Sequence, residues 1–169
     1  MKIEIKNVKH SEWASHETDC FTASVYIDGK RAGTVRNDGM GGCNFYHPHS
    51  IEEALNQYAA TLPPFIVPYE KDGKQINGEM PQTADDVIYA LLQQHLYQND
   101  LKRHLKNYVL FVRDNQMLNT DKLPPEKLSG WLANPALPAK LRSDKILNLM
   151  PFAEALQLYI KHASGRVTA

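Results

Sequence analysis

The sequence lacks a long apolar run and a signal peptide and has few cysteines, and each of these excludes a class of protein. No stretch approaches the roughly 20 consecutive apolar residues that a membrane-spanning helix needs. At the N-terminus charged and apolar residues alternate, which differs from the apolar block of a signal peptide. Cys20 and Cys43 are the only cysteines, too few for a disulfide framework. These features predict a cytoplasmic protein, without membrane partners, whose thiols are reduced.

The chain also lacks a net charge, because 19 basic residues balance 19 acidic ones. The balance is uneven: residues 1–100 hold 8 Lys and Arg against 14 Asp and Glu, and residues 101–169 hold 11 against 5. Nucleic-acid binding usually rests on a clustered basic face that contacts several phosphates. The basic residues Lys102, Arg103 and Lys106 are better explained by the end of a helix, where cations complement the macrodipole. The composition therefore argues against a dedicated nucleic-acid binder.

The N-terminal pattern predicts an antiparallel sheet. A β pattern begins at Ile3, apolar and polar residues alternate over 21–27, and Asp28-Gly29 turns the chain into a partner strand at 32–36. Ser50 and Glu53 have the spacing of a capping box, which predicts a helix that ends before Pro63-Pro64. Residues 63–82 are predicted to be an exposed, mobile connector.

The rest of the chain predicts helices around a second hairpin. Thr83 and Asp86 cap a long helix that continues to Leu105, and the β-prone segment 108–112 returns at 117–118. Two further helices follow the prolines at 124–125 and 151. With a length typical of one domain, the chain is predicted to be a single α+β domain over 1–169: an N-terminal β-meander, helices, a second β-hairpin and C-terminal helices.

The segment 37–49 is the candidate functional loop, because it holds three of the nine glycines, two of the seven histidines and one of the two cysteines. Glycine-rich backbone can bring several N–H groups to one anion, such as a nucleotide phosphate, although an ordinary structural turn has the same composition. The segment matches neither the P-loop nor the dinucleotide-binding pattern. The candidate ligand- or partner-binding residues are Asn37, Asp38, Gly39, Gly41, Gly42, Asn44, Tyr46 and His47.

Two chemical hypotheses remain open for the same loop. Cys43, His47 and His49 could bind zinc through thiolate and imidazole, although the spacing matches no paired-ligand motif and the alternative is a packed thiol with solvated histidines. Asp38 could orient His47 or His49 for acid–base catalysis. Ser15, Ser24 and Ser50 lack the nucleophile-elbow context of a catalytic serine.

Several segments resemble small proteins encoded by bacteriophages, prophages and plasmids. The resemblance rests on the strand-turn-strand VYIDGKRAGTV at 25–35, on NDG-x-GG at 37–42 with Tyr46-His47, and on LNL-x-PF-x-EAL at 147–156. It transfers no established activity. It implies an accessory gene product, of the kind that acts by blocking a host defence protein or its signalling nucleotide.

These observations give two principal hypotheses. The first is a non-enzymatic binding protein that contacts a host protein through the loop at 37–49. The second is a small metal- or nucleotide-dependent enzyme in which the same loop lines a pocket. An exposed sheet edge would also allow the chain to pair with a second copy as a homodimer.

Overall fold

The computed structural model describes residues 1–71 and 73–163, and its contacts divide the chain into two compact units, Met1–Gln93 and Gln94–Ala169. The strands pair antiparallel in small sheets that alternate with helices along the chain, so the predicted α+β class is confirmed. The single domain over 1–169 stays a prediction. No helix in the described part of the chain has the length and apolar character needed to cross a membrane.

The first unit opens with a four-stranded antiparallel sheet, one strand more than predicted. Its strands pair in chain order, and they are β1 (Ile3–His10), β2 (Cys20–Ile27), β3 (Lys30–Asp38) and β4 (Phe45–His47). Asp28 and Gly29 both have positive φ, as a two-residue hairpin turn requires, so the predicted turn is confirmed. Strand β4 pairs with β3 for only three residues, which is too short to produce a periodic pattern in the sequence.

Helix α1 (Ser50–Ala59) buries Ile51, Leu55 and Ala59. The predicted capping box at Ser50 and Glu53 is wrong, because the cap position is His49 and its side chain makes no capping hydrogen bond. The chain already turns at Pro48, whose carbonyl accepts the Ile51 N–H, so Ser50 lies inside the first turn rather than before it.

The predicted connector at 63–82 is in fact a two-stranded antiparallel hairpin, β5 (Phe65–Lys71) paired with β6 (Lys74–Met80). Pro68 and Gly78 interrupt its alternation, which explains why the pattern did not predict strands. The hairpin is exposed, as expected of the connector, and the Gln82 side chain donates to the Pro63 carbonyl at 2.8 Å, which ties its two ends together. We call residues 65–80 the arm.

Helix α2 (Ala84–Leu105) begins at the predicted cap, where the Thr83 N–H donates to the Asp86 carboxylate at 2.8 Å. Val87, Ile88 and Leu92 are buried in the first unit, and Leu101 in the second. The helix thus contributes apolar side chains to the core of each unit.

The second unit contains the predicted second hairpin and the C-terminal helices. Strands β7 (Leu110–Arg113) and β8 (Gln116–Asn119) form the hairpin, and β9 (Lys145–Ile146) joins the far side of β7. The helices are α3 (Pro125–Leu132), α4 (Leu137–Leu141) and α5 (Phe152–Ala163). Phe111, Leu128 and Ile146 pack in one buried cluster, and Leu101, Leu110 and Leu156 in another.

Candidate functional site

The candidate loop at 37–49 comprises the end of β3, the turn that follows it, and β4. Its turn lies at the end of the sheet where β1 ends and β2 begins, since Phe21 pairs with both His10 and Asn37. Gly39 has φ +81, and a side chain there would place its Cβ 2.2 Å from the Ala14 carbonyl oxygen. The Gly39 carbonyl accepts the backbone N–H groups of His16 and Glu17 at 2.9 and 3.0 Å. The segment 12–17 is therefore packed directly against the loop, and only glycine fits at position 39.

The Asn37 side chain holds the loop together. It is only 6% exposed and makes four hydrogen bonds, the number that one primary amide can make. Its Oδ1 accepts from the Thr18 hydroxyl at 2.7 Å and from the Gly39 N–H at 2.9 Å, and its Nδ2 donates to the Gly42 carbonyl and the Asn44 Oδ1. A buried amide with every donor and acceptor satisfied gives the loop one defined conformation.

Helix α2 fixes the far end of the loop through Asp85. The Asp85 carboxylate accepts the Asn44 N–H at 3.2 Å and the Tyr46 hydroxyl at 2.7 Å. It lies in the first turn of the helix, where a negative charge is stabilised by the helix dipole. The glycine-rich segment thus directs backbone N–H groups toward partners within the protein: Asn37 for Gly39, Thr18 for Gly41 and Asp85 for Asn44.

The Tyr46 phenol has a raised pKa. Burial raises it most, the hydrogen bond to the Asp85 carboxylate raises it further, and the Asn44 amide acts in the opposite direction. The neutral phenol is the form that donates to Asp85, so proton loss would place two negative charges side by side.

We expect Tyr46 to stay protonated at alkaline pH values at which exposed tyrosines ionise. Because its folded pKa lies above the unfolded value of about 10, its contribution to stability is complete below that pH and is lost as the pH rises further. In a spectroscopic titration of tyrosinate, wild type and Tyr46→Phe should form equal numbers of tyrosinates while folded, and wild type should form one more on unfolding. One tyrosinate fewer in the folded variant would contradict this assignment.

A cleft of about 160 Å³ lies between the loop and the first turns of α2. It is lined in part by three carboxylates, Asp19, Asp85 and Asp86, and in part by Phe21, Tyr89 and Leu92. Small-molecule sites usually measure roughly 300–1,000 Å³, so this cleft is too small to enclose a nucleotide, and its carboxylates repel phosphate. Each carboxylate is also hydrogen-bonded within the protein, Asp19 to His10 and Gln93, and Asp86 to Thr83.

The structure brings together most of the predicted binding residues, but not all. Asn37, Gly39, Gly41, Gly42, Asn44 and Tyr46 belong to one hydrogen-bonded group. Asp38 is exposed and pairs with Arg36 at 2.7 Å, and His47 is exposed and pairs with Thr34 in the β3–β4 ladder. For Asp38 with His47 the acid–base hypothesis has no geometric support, because Asp38 is four residues along β3 from the partner of His47, a separation of roughly 13 Å, and the other candidate, His49, forms an ion pair with Glu52.

The zinc hypothesis named Cys43, His47 and His49. Among residues 1–71 and 73–163, no group of three or more His, Cys, Asp and Glu side chains is arranged to hold a metal ion. Cys43 is an exposed free thiol, and His49 forms an ion pair with Glu52 at 3.0 Å. The structure therefore does not bring these three candidate ligands together.

Three large apolar side chains are exposed at this end of the sheet. Trp13 is 85% exposed, Met40 is 68% exposed and Phe45 is 55% exposed. Trp13 and Met40 are the chain neighbours of Ala14 and Gly39, whose backbones are packed together, and the Arg36 guanidinium lies over the Phe45 ring at 4.7 Å. We call Trp13, Arg36, Met40 and Phe45 the loop-end surface.

The sequence patterns did not predict the roles of Thr18, Asp85 and Trp13. Thr18 and Asp85 reach the loop across 19 and 41 residues of chain, and a single sequence carries no signal for such contacts. The cap at Thr83 correctly places Asp85 in the first turn of α2, but not beside Tyr46. Comparison with protein-family models, with curated proteins and with solved structures finds no match to this chain.

Proposed function

We propose that this chain is a non-enzymatic binding protein that contacts a partner protein through the loop-end surface. The observation that carries the proposal is the exposure of Met40 and Phe45 on a loop whose backbone is fixed by buried hydrogen bonds, together with the exposure of Trp13 on the segment packed against that loop. Aromatic residues, Met and Arg are enriched at the centres of protein interfaces, and Trp and Arg dominate their binding energy. All three residue types occur on this surface.

The fixed loop also favours binding. A loop that is ordered before it meets its partner loses less conformational entropy on binding, so more of the contact energy contributes to affinity. Asn37 and Asp85 hold the backbone on both sides of Met40 and Phe45 without occupying their exposed faces. The hydrogen bonds of the glycine-rich segment thus support a structural role for its backbone and a binding role for its apolar side chains.

For the class of partner, the proposal is a protein of the host cell, and the action is that of an accessory factor or inhibitor from a mobile element. The support is the resemblance of residues 25–35, 37–42 and 147–156 to proteins of phages, prophages and plasmids. The balanced charge agrees with a protein partner better than with nucleic acid.

We expect the double substitution Trp13→Ala and Met40→Ala to weaken partner binding by roughly 30-fold or more, because the loss of even one interface anchor costs about 2 kcal/mol or more. Tagged protein would be used to capture partners from lysate of a bacterial host, and the affinity of the recovered partner would then be measured with each variant. Trp131→Ala is the matched control, because Trp131 is also exposed but lies on α3 in the second unit.

Equal affinity of wild type and the folded double variant would refute the proposal that the partner binds through the loop-end surface.

The same preparation tests the alternative of a metal- or nucleotide-dependent enzyme. Nucleotide hydrolysis, or loss of an activity on chelation of metal, would support that alternative instead.

A further inference from the structure

The arm presents an unpartnered sheet. It consists of β5 and β6 alone, and no third strand pairs with either in the part of the chain that the structure describes. One face is apolar, formed by Phe65, Val67, Tyr69, Ile76 and Met80, and four of these side chains are between 39% and 52% exposed. A two-stranded hairpin is marginally stable on its own, and three or more strands are usually needed. Additional strands from a partner would therefore stabilise the arm.

Proline identifies which edge of the arm is open. Pro68 has no N–H and pairs with Asn77, so this pair is one whose backbone groups point away from the hairpin. On β5 the outward groups belong to Ile66, Pro68 and Glu70. Because the middle residue is a proline, this edge lacks one of the three N–H donors that an added strand would need. On β6 the outward groups belong to Gln75, Asn77 and Glu79, which form an uninterrupted row of three donors and three acceptors. Strand addition is thus possible at β6 and obstructed at β5.

The β6 edge is complementary to itself. If two β6 strands pair antiparallel with Asn77 on the two-fold axis, Gln75 of each copy lies opposite Glu79 of the other, and Asn77 lies opposite Asn77. All three outward residues then exchange backbone hydrogen bonds with the other copy. Each side-chain amide faces a carboxylate or another amide, so no like charges are directly opposed. This register leaves no outward donor or acceptor of Gln75, Asn77 or Glu79 without a partner.

The apolar face supports the same pairing. The Tyr69 ring leans across the hairpin over Gly78, where an added Cβ would lie 2.7 Å from it. In the two-fold register Ile76 of the second copy lies opposite Gly78, against that ring. Gly78 thus leaves space in which an aromatic and a β-branched side chain meet between the two copies.

We propose that a second copy of this chain pairs with the arm along β6, forming a four-stranded antiparallel sheet in the order β5-β6-β6-β5. This contact is smaller than the roughly 800 Å² per partner of a standard interface, so the dimer is in reversible exchange with monomer. It is independent of the loop-end surface, so failure of the proposed partner binding would not affect it.

The test places charges at Asn77, the residue on the proposed two-fold axis. We expect sedimentation of the full chain over a concentration series to give a monomer–dimer equilibrium. Asn77→Lys and Asn77→Asp, each alone, should weaken that dimer roughly fivefold by opposing like charges, and an equimolar mixture should restore it as a heterodimer. Position 77 faces uncharged Pro68 within the arm, so neither charge is directly opposed inside one chain.

Ile66→Lys and Ile66→Asp provide the matched control, because Ile66 is an exposed outward residue on the other edge of the same arm. These variants, and Trp13→Ala, should leave the equilibrium unchanged. A wild-type chain that is monomeric at every concentration would overturn the proposal. So would a dimer that responds to Ile66 rather than Asn77, or a charge mixture that does not restore association.

Discussion

Replacement of Gly39 with alanine is expected to lower the free energy of unfolding by roughly 3 kcal/mol or more. A left-handed backbone conformation costs a non-glycine residue about 1–2 kcal/mol, and Gly39 has φ +81. A Cβ at this position would also lie 2.2 Å from the Ala14 carbonyl oxygen and 2.8 Å from the Cys20 Cβ. Backbone cannot rotate away as a side chain can, so the segment 12–17 must move, at an overpacking cost of about 1–3 kcal/mol.

Gly42→Ala is the matched control for this substitution. Gly42 has φ +90, close to that of Gly39, but an added Cβ would meet no atom within 4 Å. Chemical denaturation of both variants therefore separates the cost of the backbone conformation, which the two share, from the cost of the contact, which only Gly39 has. Equal destabilisation of the two variants would refute the packing of segment 12–17 against the loop. A larger loss at Gly39 should also weaken partner binding, since Trp13 and Met40 flank this contact.

Patterns that depend on neighbouring residues predicted much of the fold. The turn at Asp28-Gly29, the cap at Thr83 and the start of α3 at Pro125 are each decided by the chemistry of a few adjacent residues. The alternating residues 21–27 likewise predicted a strand whose buried side chains include Phe21, Ala23 and Val25. Local signals were sufficient wherever local chemistry decides the structure.

The sequence did not predict the local structure where packing between distant parts of the chain decides it. The arm contains Pro68 and Gly78, which are typical of loops, yet both fit a strand: the proline points outward and the glycine makes space for Tyr69. At the start of α1, Ser50 has the composition of a cap, but the Pro48 carbonyl already accepts the Ile51 N–H. A single sequence does not distinguish these cases, because each depends on how the backbone is already placed.

The sequence predicted which residues gather at the candidate site but not the contacts that they make within the protein. Asn37, Asn44 and Tyr46 were expected to contact a ligand or partner, which stays a prediction, and in the structure they contact Thr18, Asp85 and one another. Glycine and asparagine occur wherever backbone approaches a polar group, whether that group belongs to a ligand or to the same chain. Only the positions of Thr18 and Asp85 reveal that the protein supplies its own partners.

Replacement of Asn37 with alanine tests this role of the loop. We expect the free energy of unfolding to fall by roughly 1–3 kcal/mol, because that is the cost of a buried unsatisfied donor and the Gly39 N–H is left in the interior without its acceptor. The Thr18 hydroxyl and the Asn44 amide lose their partner as well, although each can rotate toward solvent. Asp38→Ala is the control, since Asp38 is adjacent but exposed, and exposed substitutions usually change stability by less than about 0.5 kcal/mol.

Asn37→Asp separates hydrogen bonding from packing at the same position. Aspartate keeps the shape of the side chain and the acceptor for Thr18 and Gly39, but it loses both donors and places a charge opposite the Gly42 carbonyl and the Asn44 Oδ1. We therefore expect it to destabilise the protein at neutral pH and to recover part of that loss as the pH falls and the carboxylate is protonated, because its folded pKa must lie above the unfolded value. Wild-type stability of Asn37→Asp at neutral pH would contradict the donor role of the amide, and the loop would then be fixed by the glycine contacts alone.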